Sequence, residues 1–146
     1  MELSLALTLP RDEQTVPVAR HIVRNAMEQV GVEVTCVDDM ELALSEACTN
    51  VLVHSGPGDQ YVVRLDLEDR LGLIRVIDVG RGFDSAGLQA GGTLPEDERG
   101  RGLGLMQALV DRVDFTSRAE AGTVVTLEKV LTYADERLLA GRRKQV

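Results

Sequence analysis

Glu46 and Asn50 are the two residues whose types and spacing most clearly suggest chemistry. They stand four residues apart in a run of helix-forming residues, so a helix would place both on one flank. Their neighbours on that flank, Leu42 and Val53, are apolar, and a carboxylate and an amide are costly to bury there unless a ligand binds them. A metal-bound phosphate chain is one such ligand, since an amide oxygen can bind Mg²⁺ and a carboxylate can accept a proton. The alternative is a solvated helix edge with two ordinary polar residues.

A second candidate feature closes a predicted strand over residues 71–79. Asp78 is followed at two-residue spacing by Gly80 and Gly82, which places a carboxylate at a sheet end beside a closely approachable backbone. Such a carboxylate can accept a hydrogen bond from an exocyclic amine, for example that of adenine. The alternative is an ordinary strand-ending turn, because Asp and Gly are common turn residues.

A third candidate feature alternates glycine with other residues from Arg99 to Gly104 and then enters a predicted helix that contains Met106 and Leu109. Glycines that lead into a helix expose backbone N–H groups and the positive end of the helix dipole, which suit phosphate. Arg99 and Arg101 add positive charge. The stretch is neither a P-loop nor a dinucleotide-binding fingerprint, and the alternative is a flexible hinge.

The helix that carries Glu46 and Asn50 is predicted over residues 40–54. Asp38 and Asp39 precede it as candidate N-caps that suit the positive end of the helix dipole. Apolar residues at helical spacing predict its buried face. This stripe consists of Met40, Ala43, Leu44, Ala47 and Val51.

Periodicity also predicts the other elements. Leucines alternate with smaller residues over 3–9, which indicates a strand with one buried face. As the first strand of the chain, it is expected at the edge of the sheet, where an apolar face invites pairing with another chain. An amphipathic helix follows over 15–31, with Arg20 and Arg24 on its outer face as either a contact patch or a solvated surface. The remaining predicted elements are a hairpin over 61–79, a lid-type loop over 85–98, a helix after 104 and two strands over 114–131.

Composition limits the class of protein. The chain has 146 residues and a net charge of −8, which predicts one domain and argues against nucleic acid as the main partner. Cys36 and Cys48 show no zinc-binding pattern and suit a reducing compartment. No apolar run reaches membrane-spanning length and the chain does not start like a signal peptide, so we expect a cytoplasmic protein.

The three features occur in a fixed order that resembles the ATP-binding boxes of the gyrase–Hsp90–histidine kinase–MutL superfamily. The stretch Ser45-Glu-Ala-Cys-Thr-Asn50, with His54 four residues later, is similar to the signature of bacterial anti-sigma-factor serine/threonine kinases. The resemblance covers residues 3–131. It implies an α/β two-layer sandwich of the Bergerat type, a mixed and largely antiparallel sheet with helices on one face. We expect a kinase domain over 1–131 and a C-terminal tail over 132–146.

The resemblance also implies a role for each box. Asn50 would be the Mg²⁺ ligand, Glu46 the general base for an attacking hydroxyl, and Asp78 the acceptor for the adenine amine. Arg20 lies in the helix that such proteins use to hold a sigma factor. The other residues that the resemblance assigns to the nucleotide are Gly80, Gly82, Gly100, Arg101, Gly102, Leu103, Gly104 and Thr123.

The implied function is an anti-sigma factor with ATP-dependent serine/threonine-protein kinase activity. The implied partners are a sigma factor and an anti-anti-sigma factor of the STAS type, which the kinase would phosphorylate, and the implied cofactors are ATP and Mg²⁺. We expect a homodimer with the strand over 3–9 at or near its interface. Two alternatives remain: an ATP-binding regulatory module that sequesters partners without kinase activity, and the detached catalytic domain of a histidine kinase. The second lacks the phosphoacceptor helix pair that it would need.

Overall fold

The computed structural model describes residues 2–54, 60–78, 104–118 and 122–134. Five strands and three helices lie in these ranges, together with a short 3₁₀ turn over Glu13–Thr15 that leads into the first helix. In chain order the elements are β1 (Glu2–Pro10), α1 (Val16–Gln29), α2 (Val34–His54), β2 (Gln60–Glu68), β3 (Leu71–Asp78), α3 (Gly104–Leu109), β4 (Arg112–Arg118) and β5 (Gly122–Val130).

The five strands form one sheet in the order β1-β2-β3-β5-β4, and every neighbouring pair is antiparallel. Burial alternates along the central strands, with Val63, Leu65, Ile74 and Val76 fully buried on one face. This face packs against the helices, because both α1 and α2 contribute fully buried side chains to the same core. The predicted two-layer α/β sandwich with helices on one face is therefore confirmed.

Strand β1 lies at the edge of the sheet, as expected for the first strand of the chain. It pairs with β2 along its whole length, from Glu2 opposite Glu68 to Pro10 opposite Gln60. The leucines of β1 pack against the core but are only partly buried. A half-covered apolar face at a sheet edge is a surface that a further chain could cover.

Helix α2 begins at Val34, six residues before the predicted start. The prediction that Asp38 and Asp39 act as N-caps is therefore wrong, because both residues lie inside the helix. The first turn is rich in residues with modest helix propensity, so the sequence pattern alone did not predict that it is helical. Tertiary contacts stabilise this turn instead: Val37 is fully buried, and the N–H of Glu33 donates to the carbonyl of Thr132 at 2.7 Å.

Arg24 links α1 to α2. Its guanidinium donates to Asp38 at 2.8 Å and to Glu41, and it contacts Glu28 one turn along its own helix at 2.6 Å. The sequence predicted that Arg20 and Arg24 form either a contact patch or a solvated surface. Arg24 does neither, because its ion pairs hold α1 and α2 together. The side chain of Arg20 remains 43% exposed and lies 3.9 Å from Glu41.

The β2–β3 hairpin differs in detail from expectation. It turns through Asp69 and Arg70 alone, because Glu68 already pairs with Leu71, whereas the sequence pattern predicts a loop of three to four residues. Helix α3 has six residues and buries Met106. Among the described residues, no helix has the length and apolar character needed to cross a bilayer.

Candidate functional site

Buried polar side chains mark the candidate site. Among the described residues, the core contains four polar or charged members, and three of them are residues that the sequence assigned to a nucleotide site. Asn50 is 6% exposed, and Asp78 and Thr123 are fully buried. These three side chains come from α2, β3 and β5, and α2 packs against both strands, so the fold brings together elements that are far apart in sequence.

Asp78 and Thr123 lie at the same end of the sheet. The last paired residues of β3 and β5 are Ile77 and Val124, which brings Asp78 and Thr123 to the next positions along the two neighbouring strands. On its other side Asp78 pairs with Tyr61 of β2. A buried carboxylate beside a buried hydroxyl provides both an acceptor and a donor at this strand end.

Gly122 explains how the two strands come so close there. Its φ angle is +82°, and a Cβ atom built on it would lie 2.1 Å from the carbonyl oxygen of Asp78. A side chain at this position would therefore collide with the backbone that carries the Asp78 carboxylate. The sequence contained the signal, a glycine directly before Thr123, but could not show that Asp78 is the residue it approaches.

Two atoms of the site keep unused hydrogen-bonding capacity. Within the described ranges, neither Nδ2 of Asn50 nor Oγ1 of Thr123 has a hydrogen-bond partner, although both atoms are buried. Leaving a buried polar group without a partner costs about 1–3 kcal/mol. An acceptor such as a phosphate oxygen at Nδ2 of Asn50, and a polar group of a base at Oγ1 of Thr123, would remove this cost, so the residues present fit the adenine nucleotide that the sequence motifs imply. The amide oxygen of Asn50 is the atom that would bind the implied metal.

Glu46 lies one turn before Asn50 on α2 and is partly exposed. Its carboxylate is therefore open to a group that arrives from solvent, while the Asn50 amide lies deeper in the protein. This difference in exposure matches the division of roles expected from the sequence. The two residues stand on one flank of the helix because four residues make slightly more than one turn.

Several predicted site residues fall outside the described residues. This group comprises Gly80, Gly82, Gly100, Arg101, Gly102, Leu103, the lid over 85–98 and the tail beyond Ala134. Gly104 is the first residue of α3 and is exposed. Its expected contact with phosphate stays a prediction.

Arg20 lines a groove between the start of α1 and the end of α2. The groove has a volume of about 380 Å³ and is lined by Glu13, Val16, Pro17, Arg20, Thr49, Leu52 and Val53. Val53 at its rim is 57% exposed. A guanidinium beside exposed apolar side chains is a composition that suits a protein partner.

Residues 9–129 match the family model described as a histidine kinase-like ATPase domain. The chain belongs to this family. Three-dimensional comparison agrees on the fold: the structure of the RsbU and RsbW domains of a Mycobacterium tuberculosis protein superposes with a TM-score of 0.68 at 24% identity. That superposition covers 88% of this chain and 32% of that longer chain.

Curated relatives match across most of their own length. The serine-protein kinase RsbW of Halalkalibacterium halodurans is 31% identical over 138 residues, which cover 88% of this chain and 83% of the relative. The anti-sigma F factor of Bacillus licheniformis is 30% identical over 127 residues, which cover 82% of this chain and 86% of the relative. The predicted resemblance of this histidine kinase-like ATPase domain to anti-sigma-factor kinases is thereby confirmed.

Proposed function

We propose that the protein is an ATP-dependent serine/threonine-protein kinase that also acts as an anti-sigma factor. The activity class is the one predicted from the sequence, and the curated relatives named serine-protein kinase RsbW and anti-sigma F factor confirm it. The observation that carries the site assignment is the shared burial of Asn50, Asp78 and Thr123 in one core.

Each buried side chain has a task at the nucleotide. Asp78 accepts a hydrogen bond from the exocyclic amine of adenine, and the Thr123 hydroxyl supports that carboxylate through a bridging water. Gly122 lets this pair form, because its lack of a side chain permits the strands to approach. The close, buried arrangement favours adenine over a base that offers a carbonyl oxygen at the same place, since two acceptors would then face each other.

Asn50 and Glu46 act at the phosphate end. Asn50 binds Mg²⁺, which when bound neutralises the charge of the phosphates. Glu46 takes the proton from the attacking Ser or Thr hydroxyl of the protein substrate, and its partial exposure leaves it open to that substrate. The glycines from Gly100 to Gly104, with Arg101 and Leu103, hold the phosphates, and Gly80 and Gly82 let the base approach the backbone.

The protein partners are a sigma factor and an anti-anti-sigma factor of the STAS type. The groove beside Arg20 supports a partner surface on α1, because it combines an exposed guanidinium with apolar side chains. A homodimer that uses β1 is supported by the half-covered leucines of that edge strand. A sigma factor acts where RNA polymerase does, so the proposed location is the cytoplasm.

The rival function is an ATP-binding module that sequesters partners without transferring phosphate. Such a module needs Asp78 and Asn50 but does not need a carboxylate at Glu46. The test is phosphate transfer from radiolabelled ATP to the cognate antagonist. Glu46→Gln should preserve nucleotide affinity and lower the transfer rate by about 10²–10⁴-fold, the usual contribution of a general base.

Glu68→Gln is the matched control, because Glu68 is exposed at the opposite end of β2 from the site. It should transfer phosphate at the wild-type rate. A wild-type protein that binds its antagonist and ATP but never labels a Ser or Thr would establish the rival function. Equal rates for Glu46→Gln and wild type would leave the kinase in place and remove Glu46 as its base.

A further inference from the structure

The turn from Pro10 to Thr15 contacts the helix that carries Asn50 and the strand beside Asp78. It connects β1 to α1 and is closed by its own hydrogen bonds: the N–H of Thr15 donates to the carbonyl of Asp12 at 2.9 Å, and the N–H of Gln14 donates to the Asp12 carboxylate at 2.9 Å. The turn is therefore a preformed unit. None of its residues was assigned a role by the sequence motifs.

Arg11 in this turn reaches the end of α2. Its Nη2 atom donates to the carbonyl of Leu52 at 3.0 Å. In a helix that ends at His54, the carbonyl of Leu52 is one of the last four, which have no partner within the helix. A guanidinium at that position both satisfies the carbonyl and complements the negative end of the helix dipole.

The turn that Arg11 secures is the one directly after Asn50. The last hydrogen bond of a helix ending at His54 runs from the His54 N–H to the carbonyl of Asn50. If this turn frayed, Asn50 would become a terminal residue and its side chain would lose its fixed direction. Arg11 thus acts on the proposed metal ligand through the backbone of α2.

Thr15, at the other end of the same turn, reaches the strand beside Asp78. The hydroxyl groups of Thr15 and Tyr61 lie 2.6 Å apart. The single hydroxyl proton of Thr15 is used toward the carbonyl of Asp12, also at 2.6 Å, so Tyr61 is the donor between the two hydroxyls. Burial raises the pKa of Tyr61, which keeps this donor protonated at neutral pH.

Tyr61 is fully buried and pairs directly with Asp78 across β2 and β3. Directly paired residues of antiparallel strands point to the same face of a sheet. A Tyr61 ring fixed at its hydroxyl end therefore forms one wall of the space in which the Asp78 carboxylate lies.

We propose that the Pro10–Thr15 turn is a brace for the nucleotide site, in which Arg11 positions Asn50 and Thr15, through Tyr61, positions Asp78. Both are positioning residues and neither touches the nucleotide. The proposal rests on the nucleotide function proposed above. It predicts that Arg11 affects the contribution of Mg²⁺ to nucleotide affinity, and that Thr15 and Tyr61 affect the binding of the adenine base.

The first arm of the test changes Arg11 to Met, which keeps the aliphatic stem and removes the donor. Calorimetry with the non-hydrolysable analogue AMP-PNP, in excess Mg²⁺ and in EDTA, gives the gain in affinity due to the metal. Arg11→Met should reduce this gain about tenfold, the lower end of the effect seen for residues that orient metal ligands. Affinity in EDTA should stay within twofold of wild type, and Arg11→Lys should restore part of the gain.

Arg24→Met is the matched control, because Arg24 also secures α2 but at its opposite half. Arg24→Met should lower thermal stability and leave the Mg²⁺-dependent gain in AMP-PNP affinity unchanged. The Arg11 assignment would be overturned if Arg11→Met kept the wild-type Mg²⁺-dependent gain in affinity. It would also be overturned if Arg24→Met lost as much of this gain as Arg11→Met does. Arg11→Gln is the second variant if Arg11→Met does not fold.

The second arm uses Tyr61→Phe, which keeps the ring and removes the hydroxyl. Affinity for AMP-PNP should fall about 2- to 10-fold by the same factor with and without Mg²⁺, as expected for one neutral hydrogen bond. Unaltered affinity in both conditions would overturn the Thr15–Tyr61 half of the brace.

Amide hydrogen exchange without nucleotide provides an independent readout. Exchange in the last turn of α2 should be faster in Arg11→Met than in wild type and in Arg24→Met, and equal protection in all three would overturn the brace. If the wild type binds no AMP-PNP in either condition, the proposed nucleotide function fails, and hydrogen exchange alone decides whether Arg11 secures α2.

Discussion

Gly122 offers a direct test of how the strand geometry supports the site, because the chain contains a matched glycine elsewhere. Gly122 and Gly31 both adopt positive φ angles, +82° and +89°. A Cβ atom at Gly31 would meet nothing within 4 Å, whereas a Cβ atom at Gly122 would lie 2.1 Å from the Asp78 carbonyl oxygen. The two positions therefore share a backbone penalty and differ only in the collision.

The magnitudes follow from this comparison. Gly31→Ala should lower the free energy of unfolding by about 1–2 kcal/mol, the cost of a left-handed conformation for an L-residue. Gly122→Ala carries the same cost and also forces the Asp78 backbone away by about 1 Å, so a further loss of about 1–3 kcal/mol is expected from overpacking. The movement displaces the carboxylate that accepts from adenine, and nucleotide affinity should fall with stability.

Urea unfolding followed by circular dichroism gives the two free energies, and calorimetry with AMP-PNP gives the affinities. Gly31→Ala should bind AMP-PNP as wild type does, since Gly31 lies between α1 and α2 and contacts Ala134, beyond the end of β5 that is opposite to Thr123. Equal unfolding free energies for the two variants, together with wild-type affinity in Gly122→Ala, would refute the argument that close approach of the strands builds the site.

Three further predictions concern the adenine acceptor, the edge strand and a buried thiol. Asp78→Asn should abolish AMP-PNP binding in calorimetry, because an amide can turn a donor toward the adenine amine. The circular dichroism spectrum should stay native. Wild-type affinity would exclude Asp78 as the acceptor. Leu5→Asp should convert a dimer to a monomer in light scattering, and a dimer that survives this charge would move the interface away from β1. Burial raises the pKa of Cys48 to about 12, so above about pH 9 the thiol ionises in the unfolded chain only and stability should fall as pH rises. Cys48→Ala should show a smaller loss between pH 9 and 11 in urea unfolding, and equal slopes would contradict this origin.

Local patterns were sufficient to predict the order of the elements and to single out Asn50 and Asp78 as candidate site residues. Asn50 was recognisable as an amide on a helix flank with apolar neighbours and Asp78 as a carboxylate that closes a strand before paired glycines, and both are buried. The alternating leucines of β1 indicated a strand, and its place as the first strand favoured the edge of the sheet. These inferences depend on residues within a few positions of one another.

Contacts between distant residues were not predictable in the same way. Arg11 and Leu52 are separated by 41 positions, and Thr15 and Tyr61 by 46, so no local pattern reports either hydrogen bond. The early start of α2 was missed for a related reason. Its first turn is held by the bond from Glu33 to Thr132 near the end of the described chain, and helix propensity does not contain that information.

The position of β1 has a consequence for the order in which the protein folds. The β2–β3 and β4–β5 pairs join strands that follow closely in sequence, whereas every pair between β1 and β2 spans at least 50 positions. The β3–β5 pair also joins distant residues, but each of its strands already belongs to a hairpin, whereas β1 pairs only with β2 among the described strands. Long chain closures delay contact formation, so we expect β1 to dock after the two hairpins have joined. Stopped-flow kinetics of Leu5→Ala should then show faster unfolding with little change in the folding rate. A slower folding rate would instead place β1 in the transition state. On this pathway the edge strand is the last to join the sheet and the first to leave it.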